Sequence, residues 1–211
     1  MIESNRLELI YALTNAEVKH GWLSKPKLYE MAKVYSELKN INKPVVAVET
    51  GVFWGFSAIA QGLLIRESQM DCKLYAIDAW SKEASMEGTQ SEANKEWWAN
   101  VDYNEAYNSF MRSIYALGLE KIIIPIKGKS EDVIDRVPQV INFWHCDSNH
   151  VAEVITKEME LYAPKVEGWI CLDDFFWAEA NEAYEKGIQK YGLSKLMEYN
   201  KDGVSFCICK R

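Results

Sequence analysis

Two short stretches carry acids where an apolar run ends. They are FWHCDSNH, residues Phe143 to His150, and CLDDFFW, residues Cys171 to Trp177. Asp147 closes the first run; Asp173 and Asp174 close the second. Three carboxylates gathered at one rim repel each other and raise at least one pKa unless a cation is present. A hard divalent ion such as Mg2+ suits an all-oxygen set completed by water or substrate oxygens. His150, three residues after Asp147, offers a general base. It also fits a helix cap, a metal ligand or a substrate contact. A helix N-terminus and a nearby metal disfavour its imidazolium, and the carboxylates act the opposite way. His145, in mid-strand, reads as a core histidine, and His20 has no constellation around it.

A second group lies in VETGVFWGFS, which places Glu49, Gly51, Gly55 and Ser57 at a strand–helix turn. Glycines there let the backbone approach a ligand, and the helix N-terminus favours an anionic group. Asp78, at the end of KLYAIDAW, is placed to accept both hydroxyls of a ribose, or to cap a helix.

Positioning these groups requires strands that end at one edge. Residues 3–20 and 26–40 read as helices, and from Val45 the pattern alternates. VVAVET, KLYAIDAW, KIIIPIKG, VINFWHCD and EGWICLDD read as strands, with helices after them, including 103–117, 150–162 and 178–191. SEDVIDRV reads as a short helix that Ser130 would cap. Pro125 argues for an edge position of its strand or an irregularity in it. SKLMEY and VSFCICK, joined through Asp202-Gly203, read as a closing hairpin. The expected fold is α/β: a doubly wound, Rossmann-like, mostly parallel seven-stranded sheet with a terminal antiparallel hairpin and helices on both faces. Ligands of such sheets bind outside the carboxyl ends of the strands. Residues 1–44 would form an N-terminal helical cap and 45–211 the ligand-binding domain. The polar, irregular stretch 81–102 would be a lid.

Composition narrows the partners. The chain has 211 residues, 48% hydrophobic, with a net charge of −7. Without a basic block it has no electrostatic footprint for nucleic acid or anionic membrane. No window approaches 18 apolar residues, and the first residues lack a signal-peptide core. The five cysteines are odd in number and form no C-x-x-C pair, as expected of reduced thiols in a cytoplasmic protein.

The spacing Gly51-x-x-x-Gly55 after Glu49 departs from the G-x-G-x-x-G of NAD sites. It resembles the first motif of class I S-adenosylmethionine (SAM)-dependent methyltransferases, whose sheet also ends in a reversed strand. KGKS, Lys127 to Ser130, resembles that family's loop beside the adenine. Asp147-x-x-His150 followed by Asp173-Asp174-Phe175 is similar to the D-G-x-H … D-D-[YF] signature of metal-dependent small-molecule O-methyltransferases. That group is the macrocin and mycinamicin, TylF-like type, related to cephalosporin-hydroxylase-like proteins. The resemblance covers about residues 45–209. It implies that Asp147, Asp173 and Asp174 bind Mg2+ or another hard divalent cation, that His150 is the base, and that Glu49, Gly51, Asp78 and Ser130 line the SAM site. The chain departs at Ser148, where the family has glycine; a positive φ there would strain serine.

The implied reaction is methyl transfer to a hydroxyl of a small molecule, a sugar or ring-bearing acceptor. Trp80, Trp97, Trp98, Phe175, Phe176 and Trp177 suit such an acceptor, or pack the lid onto the domain. Two alternatives stand beside it. One is a SAM-binding scaffold without catalysis. The other is a NAD-dependent sugar oxidoreductase or epimerase, whose Tyr-x-x-x-Lys pair has a counterpart only in Tyr29 to Lys33, before the first strand. The N-terminal helices would complete the pocket or form the surface of a homo-oligomer; the sequence does not choose.

Overall fold

The computed structural model describes residues 3–41, 43–88 and 91–211. Two helices lead, α1 (Ser4–Glu17) and α2 (Lys25–Leu38). The alternating part follows: β1 (Val45–Thr50), α3 (Phe56–Glu67), β2 (Cys72–Asp78), α4 (Lys82–Ser85), α5 (Glu92–Ala99), α6 (Tyr103–Ala116) and β3 (Ile123–Lys127). Then come β4 (Ile141–Cys146), α7 (Ala152–Tyr162), β5 (Val166–Asp173) and α8 (Ala178–Tyr191). The hairpin β6 (Ser194–Lys201) and β7 (Val204–Lys210) closes the chain. These strands form one sheet in the order β3-β2-β1-β4-β5-β7-β6. The first five are parallel and β7 is antiparallel to both neighbours. This is the expected Rossmann-like fold, and Pro125 lies in the edge strand β3, where its missing N–H costs no ladder bond. Asp202 and Gly203 turn the hairpin with positive φ at both positions.

Strand periodicity divides the core. Ala47, Phe143 and Cys171 pack on the face covered by α1, α2, α3 and α6; Val48, Trp144 and Ile170 pack on the face of α7 and α8. Continuing the period of two sends Glu49, His145, Asp147 and Asp173 toward the first face. That face is where α2 lies. It buries Leu28, Met31 and Tyr35 completely, each burial contributing ~1.5–3 kcal/mol. The Tyr35 hydroxyl donates to Gln61 of α3 at 2.9 Å, which satisfies the phenol inside the core. Ser24 caps α2 by accepting from the Lys27 amide, and Pro26 sits in the first turn.

Three local readings need correction. Segment 130–137 contains only a 3₁₀ turn, Ile134–Arg136, without a side-chain cap, so Ser130 is not a helix cap. Within 81–102, Ser81 and Ser91 cap α4 and α5 by accepting from the amides of Ala84 and Asn94, making most of the stretch helical. Thr89 and Gln90 of that stretch lie outside the described residues. The helix expected at 150 begins at Ala152 with Val151 as its N-cap residue, leaving His150 in the preceding loop.

Candidate active site

A cavity of about 1080 Å3 opens at the carboxyl ends of β1, β2, β4 and β5. Its floor on one side is the turn after β1. Gly51 has φ +87°, and a Cβ there would stand 1.9 Å from the Asp147 carbonyl oxygen. Only glycine lets this turn pack against the end of β4. Gly55, also at positive φ, is the N-cap of α3; a Cβ there would enter the Phe110 ring. Its need is therefore packing, and it does not line the cavity. Asp78 folds back on the turn. One carboxylate oxygen accepts from the amides of Val52 and Phe53 at 2.9 and 2.8 Å, and the other from Trp80 at 2.6 Å. Burial raises its pKa, and those three donors oppose the rise. Gly51, Ser57, Asp78 and Ser130 all line the cavity. Glu49 lies behind the wall, fully buried, accepting from Ser57 and Gln61.

The adjoining wall is charged. Asp173 ends β5, and Asp174 follows with φ +46°, so the chain has turned there and both acids reach one region. Ser148 is not in the left-handed region, which removes the strain its departure from glycine would imply. His150 faces two acids, with Nε2 3.8 Å from Asp147 Oδ1 and Nδ1 3.8 Å from Asp174 Oδ2. Burial lowers its pKa to about 4, so the ring is neutral near pH 7, and its Nε2 has no hydrogen-bond partner. Because the helix starts two residues later, the cap alternative for His150 is excluded; Asn149 instead accepts from the Val151 amide. Burial, then Asp173, raises the Asp174 pKa to about 7. Burial raises Asp147 as well, with Asp173 adding to the effect.

Two members of this wall were not foreseen. Lys27, from α2, is 5% exposed and sets its ammonium 2.5 Å from Asp173 Oδ1 and 3.8 Å from Asp147 Oδ2. Burial alone would lower its pKa, but Asp173 and Asp147 outweigh that and hold it charged above the usual lysine range. The same pairing holds Asp173 below the usual carboxylate range against its own burial. His145, read as a core residue, lies between Glu49 (3.4 Å) and Asp147 (3.5 Å), inside the charged wall. One signal did mark Lys27: it stands four residues before Met31, on the buried stripe of its helix, where a lysine needs a partner.

The acids separate into two overlapping sets whose ligand atoms lie within 4.8 Å of one another, His145–Asp147–Asp173 and His150–Asp173–Asp174. The first already contains the Lys27 ammonium. All three members of the second line the cavity, whereas His145 of the first does not, and the second set's hard oxygen donors fit a divalent cation.

Aromatic side chains complete the entrance. Trp22 stacks on Phe53 at 5.7 Å, and Trp97 and Trp98 of α5 pack on the same ring. Trp177 approaches His150 at 5.4 Å. Trp80 is buried beneath, against Tyr107 and Phe110. Lys129 pairs with Glu87 and Asn149 donates to the Glu87 carbonyl, both at the end of the α4 segment. Tyr11 and Asn15 of α1, the linker Gly21 to Ser24 and Lys27 of α2 also line the cavity, so the N-terminal segment contributes to the pocket. Tyr29 and Lys33 point elsewhere, bonded to Glu8 and Glu30 at the surface. No described helix is long and apolar enough to cross a membrane.

Comparison with known proteins gives the same fold. A profile described as a methyltransferase domain matches residues 48–175, more than half of the chain. No curated protein matches the sequence significantly. The O-methyltransferase NovP is 14% identical, with a TM-score of 0.75 over 99% of this chain and 98% of that one. CalS11, a calicheamicin methyltransferase, is 13% identical, with a TM-score of 0.61 over 100% of this chain and 94% of that one. Cofactor-bound Rv0187 from MTB is 10% identical, with a TM-score of 0.63 over 99% and 90%.

Proposed function

From the premise that the chain belongs to the methyltransferase-domain family and is a SAM-dependent methyltransferase, we propose that it methylates a hydroxyl of a small, ring-bearing acceptor such as a sugar or glycosylated compound. The observation that carries this reading is a neutral His150 with an unpartnered Nε2, among carboxylates, lining the same cavity as the glycine turn. Asp147-x-x-His150 and Asp173-Asp174-Phe175 support the macrocin and mycinamicin type.

SAM would lie on the turn, its ribose at Asp78 and its adenine toward Ser130. Asp78 keeps acceptor capacity for a ribose hydroxyl, because two carboxylate oxygens offer about four lone-pair sites against three backbone donors. The aromatic group of Trp22, Phe53 and Trp97 would take the flat face of the acceptor. His150 Nε2 would remove the hydroxyl proton as the oxygen attacks the sulfonium methyl in line. The rate would come mostly from holding oxygen, carbon and sulfur collinear. Asp173 and Asp174 would hold a divalent cation, since Mg2+ is commonly carried by one or two carboxylates plus water and substrate oxygens. Bound there, the cation supplies Lewis acidity that lowers the hydroxyl pKa. Five free, buried thiols are consistent with a cytoplasmic location.

The test is release of S-adenosylhomocysteine (SAH) from SAM with a panel of hydroxylated acceptors, with Mg2+ or with chelator. Turnover confined to hydroxyl-bearing acceptors, and lost in H150Q, is expected. Turnover with amines or thiols alone, or binding of NAD in place of SAM, would refute the reading.

A further inference from the structure

A lysine belongs on a buried helix face only if something there keeps it charged. Lys27 meets this condition in an unusual place, against the ends of β4 and β5, where the three acids converge. Its ammonium reaches Asp173 at 2.5 Å and Asp147 at 3.8 Å, and the side chain is 6% exposed. The inner set His145–Asp147–Asp173 would otherwise offer its oxygens to a metal. Both nitrogens of His145 are buried without hydrogen-bond partners, and the Lys27 ammonium is the group that pairs with both acids of that set.

We propose that Lys27 is a positioning residue that serves as a built-in cation. Its ammonium takes the inner position among the carboxylates, joins α2 to the rim of the sheet, and confines a divalent ion to the outer pair Asp173–Asp174. Asp147 is then Lys27's partner and a neighbour of His150, not a metal ligand. The charged wall is assembled before any metal binds, and the N-terminal helices are part of the catalytic unit. This inference rests on the acceptor-site reading above.

The test uses full-length wild type, K27M and K27R. Mn2+ binding is followed by electron paramagnetic resonance, thermal midpoints are read with Mn2+ and with chelator, and SAH affinity is titrated separately. Wild type and K27R are expected to show midpoints insensitive to chelator. K27M, with the inner acids unpaired, should bind Mn2+ at least tenfold more tightly than wild type and require it for stability. Equal Mn2+ affinity in wild type and K27M, or a wild-type midpoint that falls in chelator as far as that of K27M, would overturn the proposal. If K27M does not fold with or without Mn2+, amine acylation of wild type read by mass spectrometry decides. Lys27 should stay unlabelled in chelator and in Mn2+ while surface lysines react; labelling at the surface rate in either condition overturns it. Loss of SAH binding in wild type would count against the cofactor reading and leave the lysine result standing.

Discussion

The two halves of the cavity are built by different means. On the cofactor side, the turn after β1 is shaped by backbone: Gly51 at positive φ, and three amides gathered by Asp78. On the acceptor side, side chains of opposite charge from three separate elements hold one another: Lys27 from α2, Asp147 after β4, and Asp173 and Asp174 at the end of β5. A backbone cradle is specified locally and is preorganised for any ligand of the right shape. A charge cluster is specified only when the tertiary structure closes, and its chemistry depends on the balance among its members.

The contrast predicts that damage on the acceptor side stops turnover while leaving cofactor binding intact, and that damage on the cofactor side weakens cofactor binding and, through it, turnover. The largest effect should come from H150Q. Loss of a general base lowers kcat by ~10²–10⁴-fold, about 3–5 kcal/mol, and SAH affinity by calorimetry should stay within a few fold of wild type. D78A comes next. It strands three part-buried amides whose bonds to a charged acceptor are each worth up to ~1.5–3 kcal/mol, so the thermal midpoint and SAH affinity should fall together. W97A removes half-exposed aromatic surface at the entrance, and should raise the acceptor KM by roughly tenfold at most, about 1.4 kcal/mol, with SAH binding unchanged. An equal loss of SAH affinity in H150Q and D78A would break the comparison.

The smallest effect concerns the wall between the halves. Glu158 of α7 is buried, accepts from Thr50 and Cys146, and has its pKa raised above 4.5 by burial. A raised carboxyl contributes stability that is fully present below its unfolded value and is lost as pH rises through the folded value. Glutamine does not ionise. The stability of E158Q, read from thermal midpoints, should therefore gain on that of wild type as pH climbs above 4.5. The gain is ~1.4 kcal/mol for each pH step of one between the unfolded and folded values. A difference that is flat with pH would show that Glu158 stays ionised.

Much of this was readable in the chain. Alternating buried runs and helical stripes gave the sheet, its reversed last strand and the edge position of Pro125. Asp147, His150, Asp173 and Asp174 were readable because strand ends in a parallel sheet converge. The helix start at Ala152 was missed because the His150 loop takes its turn from Asn149, a side-chain bond that has no periodicity. His145 is buried as read. Lys27 was missed for a deeper reason. Its role appears only when α2 brings it to the ends of β4 and β5, and no local pattern encodes that contact beyond a lysine on a buried stripe. Glu49 and Gly55 sit at the glycine turn as read, yet face α3 and Phe110 instead of the cavity.

A crystal structure of the protein grown with SAH and Mg2+ tests the two-sided cavity most directly. The nucleoside is expected on the Gly51 turn with Asp78 at its ribose, and the sulfur directed at His150, Asp173 and Asp174. Density for SAH outside this cavity, or a sulfur turned away from those three side chains, would contradict it.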